Sequence, residues 1–278
     1  MKTIKNFVLL IVFGLLATTS VTAEPPLRIA TFNIQNFGQS KLAKTAVTDT
    51  LRTIVRKFDI VAVQEVSDVT NKTAGAFLKK INSGSKTPYK MVCSSRTGEQ
   101  TDDQSSREQY AIYYNPAKVE LLDTALYNDS EHDYFQREPY VAKFRRNADG
   151  LVFLICTIHT APEQAVEEIA ALAYVAEWMP GRFGSTSNVI FCGDFNASCS
   201  YASPTQLQSL EIHQSPYTWI VPDDAKTNLS KNTCAYDRFV VTETLRPLVT
   251  KWEVYRYFKS KAVSDHWPVY IEVKSATP

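Results

Sequence analysis

The sequence predicts a sheet-rich α/β or α+β domain. Three observations carry this. Apolar, β-branched runs recur along the chain, from Leu27–Ile34 near the start to Trp267–Val273 near the end. Stretches with apolar residues at helical spacing lie between some of them, at Leu42–Lys57, Thr73–Asn82 and Glu163–Trp178. Other runs follow one another with only polar loops between. The length of 278 residues allows one large domain or two small ones, with a sizeable core either way. A formal net charge of +1 excludes a protein that holds nucleic acid by charge alone. Any phosphate recognition must be local, through a few Arg and Lys or through a metal.

Residues 1–23 read as an export signal. Lys2 and Lys5 supply positive charge, Phe7 to Leu16 is an apolar core too short for a stable anchor, and Val21-Thr22-Ala23 offers small residues for cleavage before Glu24. No later apolar run is long enough for a membrane helix, so no stable membrane insertion is expected. The expected location is outside the cell, or the periplasm of a bacterium. Export makes the five cysteines readable. Cys93, Cys156 and Cys192 sit in apolar strand runs and read as buried free thiols; Cys199 and Cys234 flank polar loops and read as a disulfide.

Taken in order, Leu27–Ile34 is the first strand, with Asn33 at its end, and the helix Leu42–Lys57 follows. Asp59–Val66 is almost wholly apolar, a strand covered on both faces that ends in Glu65. After the helix Thr73–Asn82 come a short strand, Tyr89–Ser94, a polar loop over 95–106, and Arg107–Tyr114, a strand with Glu108 at its entrance. Val119–Leu126 and Tyr140–Phe144 flank an acidic, aromatic loop from Tyr127 to Gln136. Leu151–Ile158 ends in His159, and the helix Glu163–Trp178 leads to Ser187–Cys192 and then to Gly193-Asp194-Phe195-Asn196. Tyr236–Val241 starts beside Asp237, and Asp265 and His266 precede the last strand. Polar groups thus recur at strand ends. A carboxylate at a buried strand end is costly unless it has partners.

Glu65, Asp194 and Asp265 with Asn33 and Asn196 form an oxygen-rich set, which suits a hard cation such as magnesium. No Cys and His spacing fits zinc. His159 and His266 with spare carboxylates suggest His–carboxylate pairs, in which the acid fixes the tautomer and raises the basicity of the ring. No G-x-S-x-G elbow offers a nucleophile. The set reads as metal-assisted phosphate ester hydrolysis.

The ordered motifs Thr31-Phe32-Asn33-Ile34, Gln64-Glu65-Val66, Arg107-Glu108-Gln109-Tyr110, Arg137-Glu138-Pro139, His159-Thr160-Ala161-Pro162, Gly193-Asp194-Phe195-Asn196-Ala197 and Ser264-Asp265-His266-Trp267-Pro268 resemble the endonuclease/exonuclease/phosphatase superfamily. Within it they are most similar to the secreted deoxyribonucleases I and gamma, with Cys199-Ser200-Tyr201 and Asn232-Thr233-Cys234-Ala235-Tyr236-Asp237-Arg238 the sharpest local matches. The resemblance spans Leu27 to Val273. It implies a single catalytic domain over 24–278: a four-layer sandwich of two packed, mostly antiparallel β-sheets flanked by helices. It implies an endonuclease that cuts DNA to 5′-phosphate and 3′-hydroxyl ends with magnesium, or manganese in its place, and acts as a monomer. Position by position, Glu65 is the implied metal ligand with Asn33 and Asp265 nearby. Glu108 with His159, and Asp237 with His266, are the implied catalytic pairs. Asp194 and Asn196 align the water and hold the scissile phosphate. Arg137 contacts a substrate phosphate, Tyr201 and Tyr236 position the backbone, and Cys199–Cys234 is the implied disulfide.

Some positions depart from the pattern. Ser67 and Ser106 stand where relatives insert an arginine and a tyrosine into the minor groove, which argues against efficient attack on intact duplex. Lys226 replaces an acid in the 224–232 calcium loop, whereas Asp133 matches a second calcium site. The region of Met91 and Cys93 does not match relatives that bind actin, so no actin binding is expected. The competing readings are a same-fold phosphoesterase acting on phosphoinositide or sphingomyelin, a cytolethal-distending-toxin-like nuclease subunit, and a catalytically dead binding protein.

Overall fold

Two sheets of six strands pack face to face in a computed structural model that describes residues 24–98 and 107–276. The expected leader 1–23 and Ser106 lie outside the described residues. The first sheet is built from β1 (Leu27–Asn33), β2 (Ile60–Val66), β3 (Lys90–Cys93), β4 (Gln109–Tyr114), β11 (Val249–Val254) and β12 (Val269–Val273), ordered β11-β12-β1-β2-β4-β3. The second holds β5 (Val119–Leu126), β6 (Tyr140–Arg146), β7 (Val152–His159), β8 (Val189–Asp194), β9 (Tyr217–Trp219) and β10 (Asp237–Thr242), ordered β5-β6-β7-β8-β10-β9. Most neighbours are antiparallel; β1–β2 and β7–β8 are parallel, each joined through helical crossovers.

The helices α1 (Gln39–Leu42), α2 (Thr45–Val55) and α3 (Thr73–Asn82) cover the first sheet, α4 (Ala165–Phe183) covers the second, and α5 (Pro204–Gln208) is a short piece beyond β8. Three apolar layers follow. One lies between the sheets, around Ile29, Ile112, Phe144 and Phe239. The others lie under the helices, around Leu51, Phe77 and Tyr113 on one side and Leu172, Phe191 and Phe195 on the other. This is the four-layer sandwich that the resemblance implies.

A buried polar cross-link runs through the inter-sheet layer. Gln64 Nε2 of β2 donates to Thr157 Oγ1 of β7 at 2.8 Å and to Thr31 Oγ1 of β1 at 3.0 Å, and all three side chains are fully buried. A buried amide must find such partners, and here they lie on both sheets.

The sequence reading departs from the structure in places. The helix expected over Leu42–Lys57 is α2, Thr45–Val55, while Leu42 closes the separate α1, because Lys44 takes an extended conformation between them. Helix α4 passes Trp178 and runs through Pro180 to Phe183, so the proline removes one amide donor from its last turns without ending it. Strands β9 and β11 were not anticipated. Cys93 is only half-buried because β3 is an edge strand, whereas Cys156 and Cys192 are fully buried.

Candidate active site

Strand pairing assembles the centre of the site. In register, Asp194 of β8 sits opposite His159 of parallel β7 on one side and Asp237 of antiparallel β10 on the other. The residue before it must be glycine. Gly193 has φ +150°, and a Cβ there would lie 1.9 Å from the Ile158 carbonyl oxygen. Side-chain-free contact lets β8 approach β7 closely enough for His159 and Asp194 to end their strands side by side.

Both histidines are oriented by acids. His159 Nδ1 is 2.9 Å from Glu108 Oε2, and His266 Nδ1 is 2.8 Å from Asp237 Oδ2. Their Nε2 atoms converge on Asp194 Oδ2, at 3.7 Å from His159 and 3.6 Å from His266. The sequence-expected pairs are therefore formed, and one aspartate links them. Burial opposes charge on these rings, but the carboxylates outweigh it. His159 is raised above the usual histidine range by Glu108, with Asp194 adding to the effect and Arg137 opposing it. His266 is pushed up to about 10 by Asp237 and Asp194. Burial would raise Asp194, yet the histidines hold it below the ordinary carboxylate range.

The first sheet reaches the same point. Asn33 Nδ2 donates to Glu65 Oε1 at 2.7 Å and to Asp194 Oδ2 at 3.0 Å, so its amide bridges the sheets. Its Oδ1 accepts from the Gln35 amide at 2.8 Å. Glu65 lies at a register shift between β2 and β4 and has φ +61°. The shift is a bulge that turns its side chain out of the strand pattern. Ser264 Oγ donates to the Asn33 carbonyl and accepts from the His266 amide, at 2.7 and 3.0 Å, which ties the segment bearing Asp265 and His266 to β1.

Asn196 has φ +47°; its amide N–H donates to Asp194 Oδ1 and its Nδ2 to the Thr160 carbonyl. Arg137 is buried, with Nε donating to the His159 carbonyl at 3.0 Å, Nη2 to the Thr160 carbonyl at 3.2 Å and Nη1 to Gln136 Oε1 at 3.2 Å. Its Nε also lies 3.9 Å from Glu108 Oε2. The guanidinium thus braces the His159 loop as well as facing the site. Tyr201 and Tyr236 form a tilted ring pair, centroids 5.7 Å apart, and Tyr236 lies 5.9 Å from the His266 ring. The Cys199–Cys234 disulfide holds this wall, with Cα atoms 5.6 Å apart.

Sequence reasoning missed three supports. Arg238 is 1% exposed and donates to the carbonyls of Ala235, Val221 and Ala197, fixing the loops on either side of the disulfide. Glu168 of α4 accepts from the amides of Gln136 and Ala161, and burial pushes its carboxyl up to about 7. Lys41 of α1 turns inward to the carbonyls of Ile34 and Gln35. The Arg238 position was visible only as part of a motif; charged residues on amphipathic helices otherwise read as surface.

The donors present fit a hard divalent cation. They are oxygen-rich, and Asp265 Oδ1 is buried with no hydrogen-bond partner. Among the described residues, Asp194, Asp237 and His266 also bring one ligand atom each within 4.8 Å of one another. Those atoms already pair with each other, which is the pattern of a proton-handling cluster, whereas Asp265 Oδ1 is unpaired and each Glu65 oxygen accepts a single hydrogen bond, from Asn33 Nδ2 or the Asn36 amide.

A double-sheet sandwich with two histidine–carboxylate pairs meeting at one aspartate defines the class. The chain belongs to the Endonuclease/Exonuclease/phosphatase family, whose model matches residues 30–266. Deoxyribonuclease-1 of Rattus norvegicus is 34% identical over 265 residues, covering 89% of this chain and 92% of its own length. Deoxyribonuclease-1 of Homo sapiens is equally similar, at 34% over 265 residues and the same coverage of each chain. The fold is shared with solved structures at low identity. A humanized D. rerio TDP2 has a TM-score of 0.64 at 14% identity, covering 90% of this chain and 99% of that one. The human Nocturnin catalytic domain has 0.62 at 14%, covering 89% and 93%.

Proposed function

We propose that this chain is an exported, divalent-metal-dependent endonuclease that hydrolyses DNA phosphodiester bonds, leaving 5′-phosphate and 3′-hydroxyl ends. The observation that carries the reading is the convergence of both histidine–carboxylate pairs on Asp194 Oδ2. The similarity to deoxyribonuclease-1 across 89% of the chain supports DNA as the substrate. The disulfide supports export, and no helix among the described residues is long and apolar enough to cross a membrane.

In this mechanism, Asn196 and Asp194 orient the water and the scissile phosphate. Nδ1 of each histidine gives its proton to a carboxylate bond, so Nε2 is the atom that exchanges protons in the site. One imidazole takes the proton of the attacking water, and the other protonates the leaving 3′ oxygen. Arg137 adds positive charge beside the phosphate. Tyr201 and Tyr236 offer a wall for the sugar–phosphate backbone. Glu65, with Asn33 and Asp265, would hold magnesium or manganese, which neutralises charge developing on the phosphoryl oxygens.

The test is nicking of supercoiled plasmid by the mature chain with magnesium, with chelator, and by a His159→Ala variant. The expected result is metal-dependent nicking that the variant lacks. A folded wild-type protein that leaves plasmid intact, but hydrolyses phosphoinositide or sphingomyelin, would replace this reading with the same-fold phosphoesterase. Ser67 and Ser106 in the sequence are the features that favour that alternative, since they supply neither charge nor a stacking surface.

A further inference from the structure

Lys41 is a buried ammonium on a helix that otherwise sits at the surface. It is 8% exposed, and its Nζ donates to the carbonyls of Ile34 and Gln35 at 2.7 Å each. Two consecutive carbonyls point at one cation because the chain turns sharply there. Gln35 has φ +47° and Asn36 has φ +50°, both in the left-handed region that costs an L-residue free energy. The amides of that turn reach the proposed metal ligands. Gln35 N–H donates to Asn33 Oδ1 at 2.8 Å, Asn36 N–H to Glu65 Oε2 at 2.6 Å, and Phe37 N–H to the Glu65 carbonyl at 2.7 Å. The ammonium also lies in the field of Glu65 and Asp265.

The turn is thus strained, is held from one side by a cation, and holds the site from the other side. We infer that Lys41 is a positioning residue for the metal centre, clamping the Gln35–Asn36 turn so that Glu65 and Asn33 keep the orientation needed to bind a divalent ion. The inference rests on Glu65 being a metal ligand, as proposed above. It makes a prediction opposite to that of simple electrostatics. Removing a positive charge beside carboxylates should tighten cation binding if charge alone mattered. Removing the clamp should weaken it, because groups that orient a ligand are worth about 10–100-fold in metal affinity.

The experiment is calorimetric titration of Mn²⁺ into the full mature chain, without DNA. Loss of binding in Glu65→Ala first establishes that the titrated site is this one. Wild-type protein that binds no Mn²⁺ there would overturn both the metal reading and this inference, whereas the comparison that follows bears on Lys41 alone. Lys41→Met should weaken Mn²⁺ binding about tenfold or more. Gln35→Gly in the same background relieves the left-handed strain, since glycine takes φ > 0 freely, and should recover most of the lost affinity. Lys41→Met that binds Mn²⁺ as tightly as wild type, or more tightly, would overturn the inference. So would a double variant that stays as weak as Lys41→Met. Should Lys41→Met fail to fold, the double variant decides alone: affinity within about threefold of wild type supports the clamp, and tenfold weaker binding refutes it.

Discussion

His159 and Asp194 are register partners on adjacent parallel strands, and their side chains meet at the strand ends with Nε2 and Oδ2 3.7 Å apart. A sheet fixes such a pair more tightly than loops can, because neither residue can shift without breaking the ladder. Asp237, in register on the other side of Asp194, extends the row. His159, Asp194 and Asp237 are therefore spaced by the hydrogen-bond geometry of β7, β8 and β10.

Replacing His159 by Ala should leave a folded protein and lower DNA cleavage by about 10²–10⁴-fold, the usual worth of a positioned acid–base group. Glu108→Gln keeps the size of its partner but no longer favours one tautomer or the charged ring. It should lower the rate less than His159→Ala and shift the acidic limb of the pH–rate profile downward. Initial rates of plasmid nicking across pH, at saturating magnesium, check both. Equal rates in wild type and His159→Ala would refute the mechanism.

His266 gives a pH signature in the metal-free protein. Its pKa is pushed up to about 10 in the folded state, against about 6.5 unfolded. A raised histidine contributes stability that is fully present below the unfolded value and is lost as pH rises through the folded one. Between about pH 6.5 and 10, the wild-type Tm should fall more steeply than that of His266→Gln. Thermal melts in chelator across that window measure it, and parallel curves would count against the pairing.

Gly193→Ala tests the strand approach. The added Cβ would fall 1.9 Å from the Ile158 carbonyl oxygen, a backbone atom that cannot move aside without parting β7 from β8. The expected loss is about 3 kcal/mol or more of stability, seen as a lower denaturation midpoint, with activity lost alongside.

Calcium should act through one region and not the other. Asp129 Oδ1 and Glu138 Oε2 are buried without hydrogen-bond partners, and burial together with Asp129 and Asp133 raises the Glu138 carboxyl. A calcium ion supplies what those oxygens lack. In the 224–232 loop, by contrast, Lys226 Nζ donates to the Lys231 carbonyl at 3.2 Å, so an ammonium already serves that turn. Calcium should raise the Tm of the wild type, and Glu138→Gln should abolish the rise while Asp224→Asn leaves it intact. A rise that survives Glu138→Gln would place the ion elsewhere.

The grouping of the candidate site was legible in the sequence because its polar residues sit at strand ends, where each interrupts an apolar run. Asn33, Glu65, His159 and Asp194 all carry that mark, and the structure brings Asn33 to both Glu65 and Asp194. The braces were not legible. Lys41 and Glu168 lie on helices, where a charged residue normally faces water, and nothing local tells that each turns inward to backbone groups. Strand β9 has only three residues, too few for a periodic signal. Strand β11 has a register shift between Val249 and Lys251, and as an edge strand it buries only Val249 and Val254 well, so its apolar pattern is thin.

The Gln64–Thr157 bond has a mechanical meaning. Apolar burial is non-directional, so it does not by itself specify which polar groups on the two decks lie opposite one another. Alongside the Asn33–Asp194 bond, a directional bond between β2 and β7 pins one deck to the other. Glu65 is the next residue after that pin on one deck, and His159 follows two residues after it on the other. The spacing between Glu65 and His159 is thereby indexed to a bolt in the core rather than to the surface loops.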